Sequence, residues 1–225
     1  MSKCRLCGYA KASSFAKWKS NEYERCPTCK LIQLNVDQLP NEESELQEYR
    51  LHNNDPIDKG YRRFLSKVTI PTLHWLTQQK EKGREIRILD FGSGPIPAMA
   101  NILAEQGWQV DNYDPFFAPD QMLLTQQYDL IICTEVVEHF HDPTESWNVM
   151  LSCLKPSGKL IVMTSACDQK SHEEAFVSWS YIRETSHVAF YHGQTMEWIA
   201  THNQMKLSRL HDHVFWFEKQ SPMIT

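Results

Sequence analysis

The strongest constraint on the fold is the segment Ile86–Pro97, in which an apolar run ends in an acidic residue and a glycine turn. The isoleucines and leucine before the acid are typical of a buried β-strand, and the apolar residues 96–103 continue with helical spacing. Gly92 and Gly94 let backbone N–H groups approach a ligand, and the start of a helix adds partial positive charge. The segment therefore predicts a strand, a ligand-binding turn and a helix.

The flanks of this turn argue against a dinucleotide. A dinucleotide-binding fingerprint has a third glycine three places after the second, where it helps to contact the pyrophosphate. That position is Pro97, which lacks an N–H group but suits the first turn of a helix. Asp90 and two glycines thus predict a site for a ligand with little or no phosphate.

Length and composition indicate a globular α/β protein with a small additional module. The chain has 225 residues, 41% of them hydrophobic, and no apolar run approaches the ~18 residues of a membrane span. The start of the chain has no apolar signal-peptide core, so a cytoplasmic protein is expected. The first 30 residues carry seven Lys/Arg and two Glu, whereas residues 31–58 carry seven acids and one Arg. We interpret both runs as solvated surface, with a domain boundary near residue 31.

Two Cys-x-x-Cys pairs predict a zinc ribbon over residues 1–31. Eighteen residues separate Cys7 from Cys26, a spacing typical of two metal-binding knuckles. Cys4, Cys7, Cys26 and Cys29 would form a closed tetrahedral site for structural Zn²⁺, with no open position for catalysis. A redox centre would need a single pair in a thioredoxin-like unit. The role of the ribbon stays open between docking, substrate contact and stabilisation.

Residues 32–82 are predicted to form a helical cap. An acidic helical segment covers 41–52, the turn-forming residues 53–56 break it, and apolar helical spacing resumes after Asp58. Pro71 is expected to start or kink a second helical piece. The apolar faces of these helices are expected to cover the edge of a sheet.

Residues 109–114 are predicted to be the second strand of the sheet. Asp114 follows Gly94 by 20 residues, about where an acid binds ribose hydroxyls. Pro115 and Phe116 come next, and Phe116 or Phe117 could either cover an adenine or belong to the core. The sequence therefore favours an adenosine-type ligand.

The second half of the chain continues the same alternation. Residues 128–133 are predicted to be a strand, 143–154 a helix and 159–164 the next strand, which is typical of a doubly wound, mostly parallel sheet. Only thirteen residues separate Asp114 from Tyr128, so the intervening strand must be short or missing. Residues 205–217 are predicted to be an antiparallel hairpin, with His211 and His213 as turn residues.

Residues 165–193 form a long connection within the predicted domain 83–225. Connections of this length are more often functional than idle, and this one follows the carboxyl end of a strand, where ligands bind in such folds. It contains Glu184 and His187. We interpret it as a substrate-binding insertion.

Together these motifs resemble the class I S-adenosylmethionine (SAM)-dependent methyltransferases, and within them a bacterial group with an N-terminal zinc ribbon. The resemblance implies a Rossmann-like fold, SAM as cofactor and a lid formed by the helices before the first strand. The motifs that carry it are residues 52–56, 60–65, 89–95, 113–117, 134–140, 154–158 and 179–191. The cofactor-binding residues that it implies are Asp90, Phe91, Gly92, Ser93, Gly94, Asp114, Pro115, Phe116, Thr134 and Glu135.

Two partial likenesses indicate the acceptor class. Residues 135–139, Glu-Val-Val-Glu-His, are similar to quinone O-methyltransferases. The ribbon and the Glu/His-bearing insertion resemble deoxysugar C-methyltransferases, which are longer and carry a further C-terminal domain. We therefore expect O- or C-methylation of a small molecule.

Methyl transfer to a hydroxyl or a carbon acid needs a general base, and histidine is the usual choice. The candidates are His139 and His187, the latter with Glu184. One alternative is a non-catalytic docking protein with the methyltransferase fold. Another is an RNA methyltransferase whose basic first thirty residues grip RNA, although we expect no nucleic-acid partner. The sequence leaves the acceptor, the adenine-binding acid and the oligomeric state open.

Overall fold

The computed structural model describes residues 2–51 and 55–220. The end of the predicted acidic segment at residue 52 and the motif residues His52, Asn53 and Asn54 lie outside the described residues. Within the described part of the chain, no helix has the length and apolar character needed to cross a membrane.

The described residues form ten strands and six α-helices. The strands are β1 (Ser13–Trp18), β2 (Asn21–Arg25), β3 (Ile32–Leu34), β4 (Ile88–Phe91), β5 (Val110–Tyr113), β6 (Tyr128–Thr134), β7 (Leu154–Met163), β8 (Ala189–Phe190), β9 (Met205–His211) and β10 (Val214–Lys219). The helices are α1 (Glu42–Leu51), α2 (Lys59–Glu81), α3 (Ala98–Ala104), α4 (Pro143–Ser152), α5 (Glu173–Val177) and α6 (Gly193–His202).

The central sheet has six strands in the order β5-β4-β6-β7-β10-β9. Strands β5, β4, β6 and β7 are parallel, and β10 pairs antiparallel with both β7 and β9. This confirms the predicted α/β class with a mostly parallel sheet and a closing antiparallel hairpin. Between β5 and β6 the structure has only the 3₁₀ turn Leu123–Thr125 and an isolated bridge, so the strand predicted to be short or missing is absent and β5 is the sheet edge.

The central strands are apolar because both of their faces are covered. Residues 130–133 of β6 are fully buried, which is the pattern expected of an internal parallel strand. On one face, Leu65, Val68 and Leu76 of α2 belong to the same buried cluster as Ile88 and residues of α3. This packing fixes the ends of β4 and β6, where the candidate site lies.

Two local predictions differ from the structure. Helix α2 runs through Pro71 rather than restarting there, because buried contacts of Val68, Thr72 and Leu76 on either side offset the missing hydrogen bond. Strand β7 begins at Leu154, earlier than the predicted residue 159. Leu154 already pairs with Tyr128, and a register irregularity accommodates residues 155–158 within the strand.

The N-terminal sheet has four antiparallel strands in the order β1-β2-β3-β8. Strand β8 comes from the predicted insertion and pairs Phe190 with Ile32 of β3. Tyr23, Phe176 and Phe190 meet edge to face, with ring centroids 5.0–5.8 Å apart. The ribbon and the insertion therefore share one sheet and one aromatic core.

Candidate active site

A cavity of about 670 Å³ opens at the carboxyl ends of β4, β5 and β6. This volume lies within the roughly 300–1,000 Å³ typical of small-molecule sites. The cavity is lined by all ten predicted cofactor residues and by the three catalytic candidates His139, Glu184 and His187. The roles of these residues stay predictions, but the structure brings together side chains that are almost 100 positions apart.

The glycine turn brings backbone close to the cavity wall. Gly92 has φ +82°, and a Cβ on it would lie 2.5 Å from the side chain of Val136. Gly94 has φ +66° with open space where its Cβ would be. Both residues adopt the left-handed conformation that glycine tolerates best, and only Gly92 is also constrained by packing.

Asp90 places a carboxylate at the start of this turn. Its side chain is 2% exposed, and its Oδ1 atom has no hydrogen-bond partner among the described residues. Burial, with a further contribution from Asp114, raises the pKa of Asp90 to about 7. An unpaired buried acceptor of this kind suits a cationic donor such as the ammonium group of SAM.

Asp114 organises the loop opposite. Its Oδ2 accepts the N–H of Gly94 at 2.9 Å, and its Oδ1 accepts the N–H groups of Phe116 and Phe117 at 2.9 and 3.0 Å. The carboxylate thus ties the glycine turn to the segment after β5. Its predicted contact with ribose hydroxyls stays a prediction, since carboxylate oxygens can accept more than one hydrogen bond each.

The two candidate histidines lie side by side at the cavity, with ring centroids 4.8 Å apart. His139 ends the 3₁₀ turn Val137–His139 after β6, and its Nδ1 lies 3.1 Å from the carbonyl oxygen of Ser186. The Nδ1 of His187 lies 2.8 Å from the carbonyl of Tyr181, and its Nε2 lies 3.4 Å from an oxygen of Glu184. A hydrogen bond from Nδ1–H to a carbonyl selects the tautomer whose lone pair is on Nε2.

A buried carboxylate–tyrosine group lies beneath the histidines. The hydroxyl of Tyr181 is 3.1 Å from Glu135 and makes a short contact with Glu138. Burial raises the pKa of both glutamates. Sequence reasoning missed Glu138 and Tyr181 as site residues, although the Glu-Val-Val-Glu spacing after β6 was a usable signal.

The same region offers ligands for a cation. One donor atom each of Glu138, His139 and His187 lies within 4.8 Å of the others, and the Oε2 of Glu138 has no hydrogen-bond partner in the described part of the chain. Two imidazoles and one carboxylate are a donor set that divalent transition metals accept.

Comparison with known proteins identifies the family. The sequence profile described as "Methyltransferase domain" matches residues 58–208, about two thirds of the chain. The chain belongs to this methyltransferase family. Its membership and its sheet topology confirm the predicted class I SAM-dependent methyltransferase fold.

Curated relatives match a part of this methyltransferase. The ubiquinone biosynthesis O-methyltransferase of Stutzerimonas stutzeri is 22% identical over 102 residues, which cover 45% of this chain and 44% of that protein. The enzyme of the same name from Acinetobacter baylyi is 29% identical over 104 residues, covering 45% and 43%. The matched segment thus spans less than half the length of these relatives.

Solved structures support the fold. An O-methyltransferase family protein from Burkholderia thailandensis superposes with a TM-score of 0.51 at 11% identity, covering 80% of this chain and 63% of that one. At this identity the likeness shows the fold alone.

In this methyltransferase, α1 covers the cavity. Glu45 of α1 is buried and meets the Nε2 of His141 at 2.9 Å. The ring of Tyr49 contacts His139 and Phe116, with centroid distances of 5.2 and 5.6 Å. The helical cap was predicted to form a lid, but Glu45, Tyr49 and His141 were not predicted as its contacts.

The four predicted metal ligands of the methyltransferase cluster at one point. All four sulfur atoms lie within 4.8 Å of one another, with Cys4–Cys29 at 3.6 Å and Cys7–Cys26 at 3.4 Å. Four thiolates at about 2.3 Å from a tetrahedral Zn²⁺ would be roughly 3.8 Å apart. The cysteines are free thiols, so the donor set fits the predicted ion.

Proposed function

We propose that this protein transfers the methyl group of SAM to an oxygen or carbon atom of a small-molecule acceptor. The observation that supports the proposal is the set of side chains that line one cavity. The buried carboxylate of Asp90, whose Oδ1 has no hydrogen-bond partner among the described residues, lies at a glycine turn, and the histidines His139 and His187 line the same space. Bound SAM supplies an activated methyl group on a sulfonium.

The residues of the glycine turn would hold the cofactor. The carboxylate of Asp90 pairs with the ammonium of its methionine part. Gly92 and Gly94 let the backbone approach it. Asp114 accepts hydrogen bonds from the ribose hydroxyls. Phe116, which lines the cavity, packs against the adenine. These assignments account for every carboxylate at the ends of β4 and β5.

His139 is the proposed general base. Its Nδ1–H donates to the Ser186 carbonyl, so the lone pair of the neutral ring lies on Nε2. This lone pair can take a proton from the methyl acceptor. His187 has an oxygen near each ring nitrogen, from Tyr181 and Glu184. We propose that His187 orients both the ring of His139 and the methyl acceptor. Positioning supplies most of the remaining acceleration.

The charge of the cavity restricts the acceptor. No Lys or Arg lines it within the described part of the chain. The acidic side chains that line it are Glu45, Asp90, Asp114, Glu135, Glu145 and Glu184, of which Asp90 and Glu135 have a raised pKa. A phosphate or carboxylate on the acceptor would meet repulsion without a compensating cation. We therefore propose an uncharged or cationic acceptor, which disfavours both RNA and nucleotide-linked sugars.

The proposal agrees with the relatives without depending on them. Their names describe O-methylation in ubiquinone biosynthesis. Because the shared segment covers under half of those proteins, the acceptor of this protein is proposed from the cavity alone. Structural Zn²⁺ at the four cysteines is part of the same proposal, and the cytoplasmic location stays a prediction.

Binding and turnover can be tested separately. Calorimetry with S-adenosylhomocysteine (SAH) should show one site on the 225-residue chain, weakened at least about tenfold by Asp90→Asn, which loses one charged hydrogen bond. Asp212→Asn, in the exposed β9–β10 turn, is the matched control and should bind normally. Absence of SAH binding to the wild type would contradict the proposal and favour a non-catalytic docking protein.

Turnover can be screened with radiolabelled SAM against matched pairs of acceptors. Each pair would contain a neutral phenol or sugar and its phosphorylated or carboxylated counterpart. Methylation is expected only for the uncharged member. Preferential methylation of an anionic member, or of RNA, would overturn the assignment of the acceptor class.

A further inference from the structure

The first cysteine knuckle, Cys4–Gly8, places an arginine between the ribbon and the candidate site. The Arg5 guanidinium donates to three backbone carbonyls, those of His141 at 2.6 Å, Val188 at 2.8 Å and Leu34 at 3.1 Å. The three carbonyls belong to the loop before α4, the insertion and the end of β3. One side chain therefore joins three segments that are distant in sequence.

Two of these carbonyls adjoin the candidate histidines. Val188 directly follows His187, and its own N–H donates to the carbonyl of Glu138 at 2.9 Å, next to His139. His141 is two residues after His139, and its side chain pairs with Glu45 of α1. The guanidinium thus fixes the backbone on both sides of the histidine pair.

The main chain of the knuckle is tied to the same region. The carbonyl of Arg5 accepts the hydroxyl of Thr144 at 2.6 Å and also its N–H at 3.2 Å, and the carbonyl of Leu6 accepts the same hydroxyl at 2.9 Å. The N–H of Arg5 donates to Gln33 at 2.9 Å. The knuckle is therefore hydrogen-bonded to the start of α4, directly after the loop that carries His141.

We propose that Arg5 is a positioning residue that holds the backbone segments of His139 and His187 in their relative positions. The cysteine ribbon contributes to catalysis by fixing Arg5 in place. The inference rests on the proposed function. A planar guanidinium with several fixed donors can bind three carbonyls at once, which a lysine cannot reproduce. The SAM-binding turn, residues 90–94 and Asp114, has no hydrogen bond to Arg5, so the cofactor half of the site is independent of it.

The test compares Arg5→Met and Arg5→Lys with a matched ribbon variant, Arg25→Met. Arg25 donates to the Ser171 carbonyl at 2.7 Å and lies over the ring of Phe15, away from both histidines. Each variant is measured for SAH affinity, zinc content, amide hydrogen exchange at Val188 and Leu34, and histidine titration by NMR. Methyl transfer is measured once an acceptor is in hand.

Arg5→Met should bind SAH within about twofold of the wild type and keep its zinc. Exchange at Val188 should be faster than in the wild type, because its carbonyl loses the bond from Arg5 and keeps only the one from the N–H of Leu34. The turnover number should fall by about 10- to 100-fold at nearly constant KM for SAM, the loss expected for misplaced reacting groups. Arg5→Lys should recover little of this, and Arg25→Met should match the wild type.

Unchanged exchange at Val188 and unchanged histidine titration in Arg5→Met would overturn the inference, whatever the activity. If that variant does not fold, Thr144→Val removes the hydroxyl contacts of α4 with the carbonyls of the knuckle, leaves the bond from the Thr144 N–H, and should give the same pattern in weaker form. Failure of wild-type SAH binding would instead contradict the proposed function. The two failures are therefore distinguishable.

Discussion

The ring of His139 meets the ring of His187 edge-on, with centroids 4.8 Å apart and planes at 66°. One histidine follows a central strand, and the other belongs to an insertion whose edge strand completes the ribbon sheet. The contact between the two histidines therefore depends on the packing of the ribbon and the insertion against the Rossmann-like sheet.

Replacement of His139 by Ala should lower the turnover number by about 10²- to 10⁴-fold, the usual contribution of a general base. SAH affinity should change less than about twofold, because we assign no cofactor contact to His139. His187→Ala should cause a smaller loss, since we assign to it an orienting role. Steady-state kinetics and calorimetry on the same preparations check this. Equal turnover of His139→Ala and the wild type would remove it as the base.

SAH binding should weaken as the pH falls below about 7. The pKa of Asp90 is raised to about 7, so below this pH the free protein holds a neutral acid that pairs poorly with an ammonium group. Affinity should fall by about tenfold per pH unit, and Asp90→Asn should flatten the dependence. Calorimetry between pH 5.5 and 8.5 measures this slope. A flat wild-type profile would contradict the pairing.

The same group affects stability with the opposite sign. A raised carboxyl pKa means that the folded chain keeps its proton between about pH 4 and 7, where the unfolded chain has lost it. The contribution of Asp90 to the free energy of unfolding therefore decreases as the pH rises through this window. Denaturant unfolding of Asp90→Asn should show a weaker decrease than the wild type; an identical pH dependence would contradict the assignment.

Gly92→Ala should destabilise the protein more than Gly94→Ala. Both changes strain a left-handed backbone, at a cost of roughly 1 kcal/mol. Only at Gly92 does the new Cβ also clash with Val136, at 2.5 Å, which adds about 1–3 kcal/mol. Urea unfolding would compare the two variants. Equal midpoints would show that the loop relaxes freely around residue 92.

Removal of zinc should unfold the ribbon and perturb the insertion with it. The four thiols belong to one cluster, in which three of them are buried and Cys7 is partly exposed, and β8 of the insertion pairs with β3 of the same sheet. Chelation, or Cys26→Ser, should therefore increase hydrogen exchange in residues 186–190 as well as in residues 4–34. Cys153→Ser, at a buried cysteine outside the cluster, is the control and should keep the metal. Metal analysis showing no zinc in the folded wild type would contradict the site.

The conformation of the turn to which we assign the cofactor was predictable from local sequence. The run from Ile86 to Pro97 has a strand pattern, an acid and glycines in consecutive positions, so local sterics and hydrophobic periodicity were sufficient to predict its conformation. Asp114 followed from the regular length of one strand–helix–strand unit. The cysteine pairs were predictable for the same reason, since metal geometry restricts their spacing.

The arrangement of the residues that we assign to the methyl acceptor was decided by tertiary structure. Local sequence determined the strand, the glycine turn, the cysteine knuckles and the missing strand before Tyr128, because each depends on contacts between near neighbours. The tertiary structure alone decided that β8 joins the ribbon sheet, that Tyr181 lies between Glu135 and Glu138, and that α2 continues through Pro71. These outcomes depend on packing between segments tens of residues apart, and such contacts leave no periodic pattern in the chain.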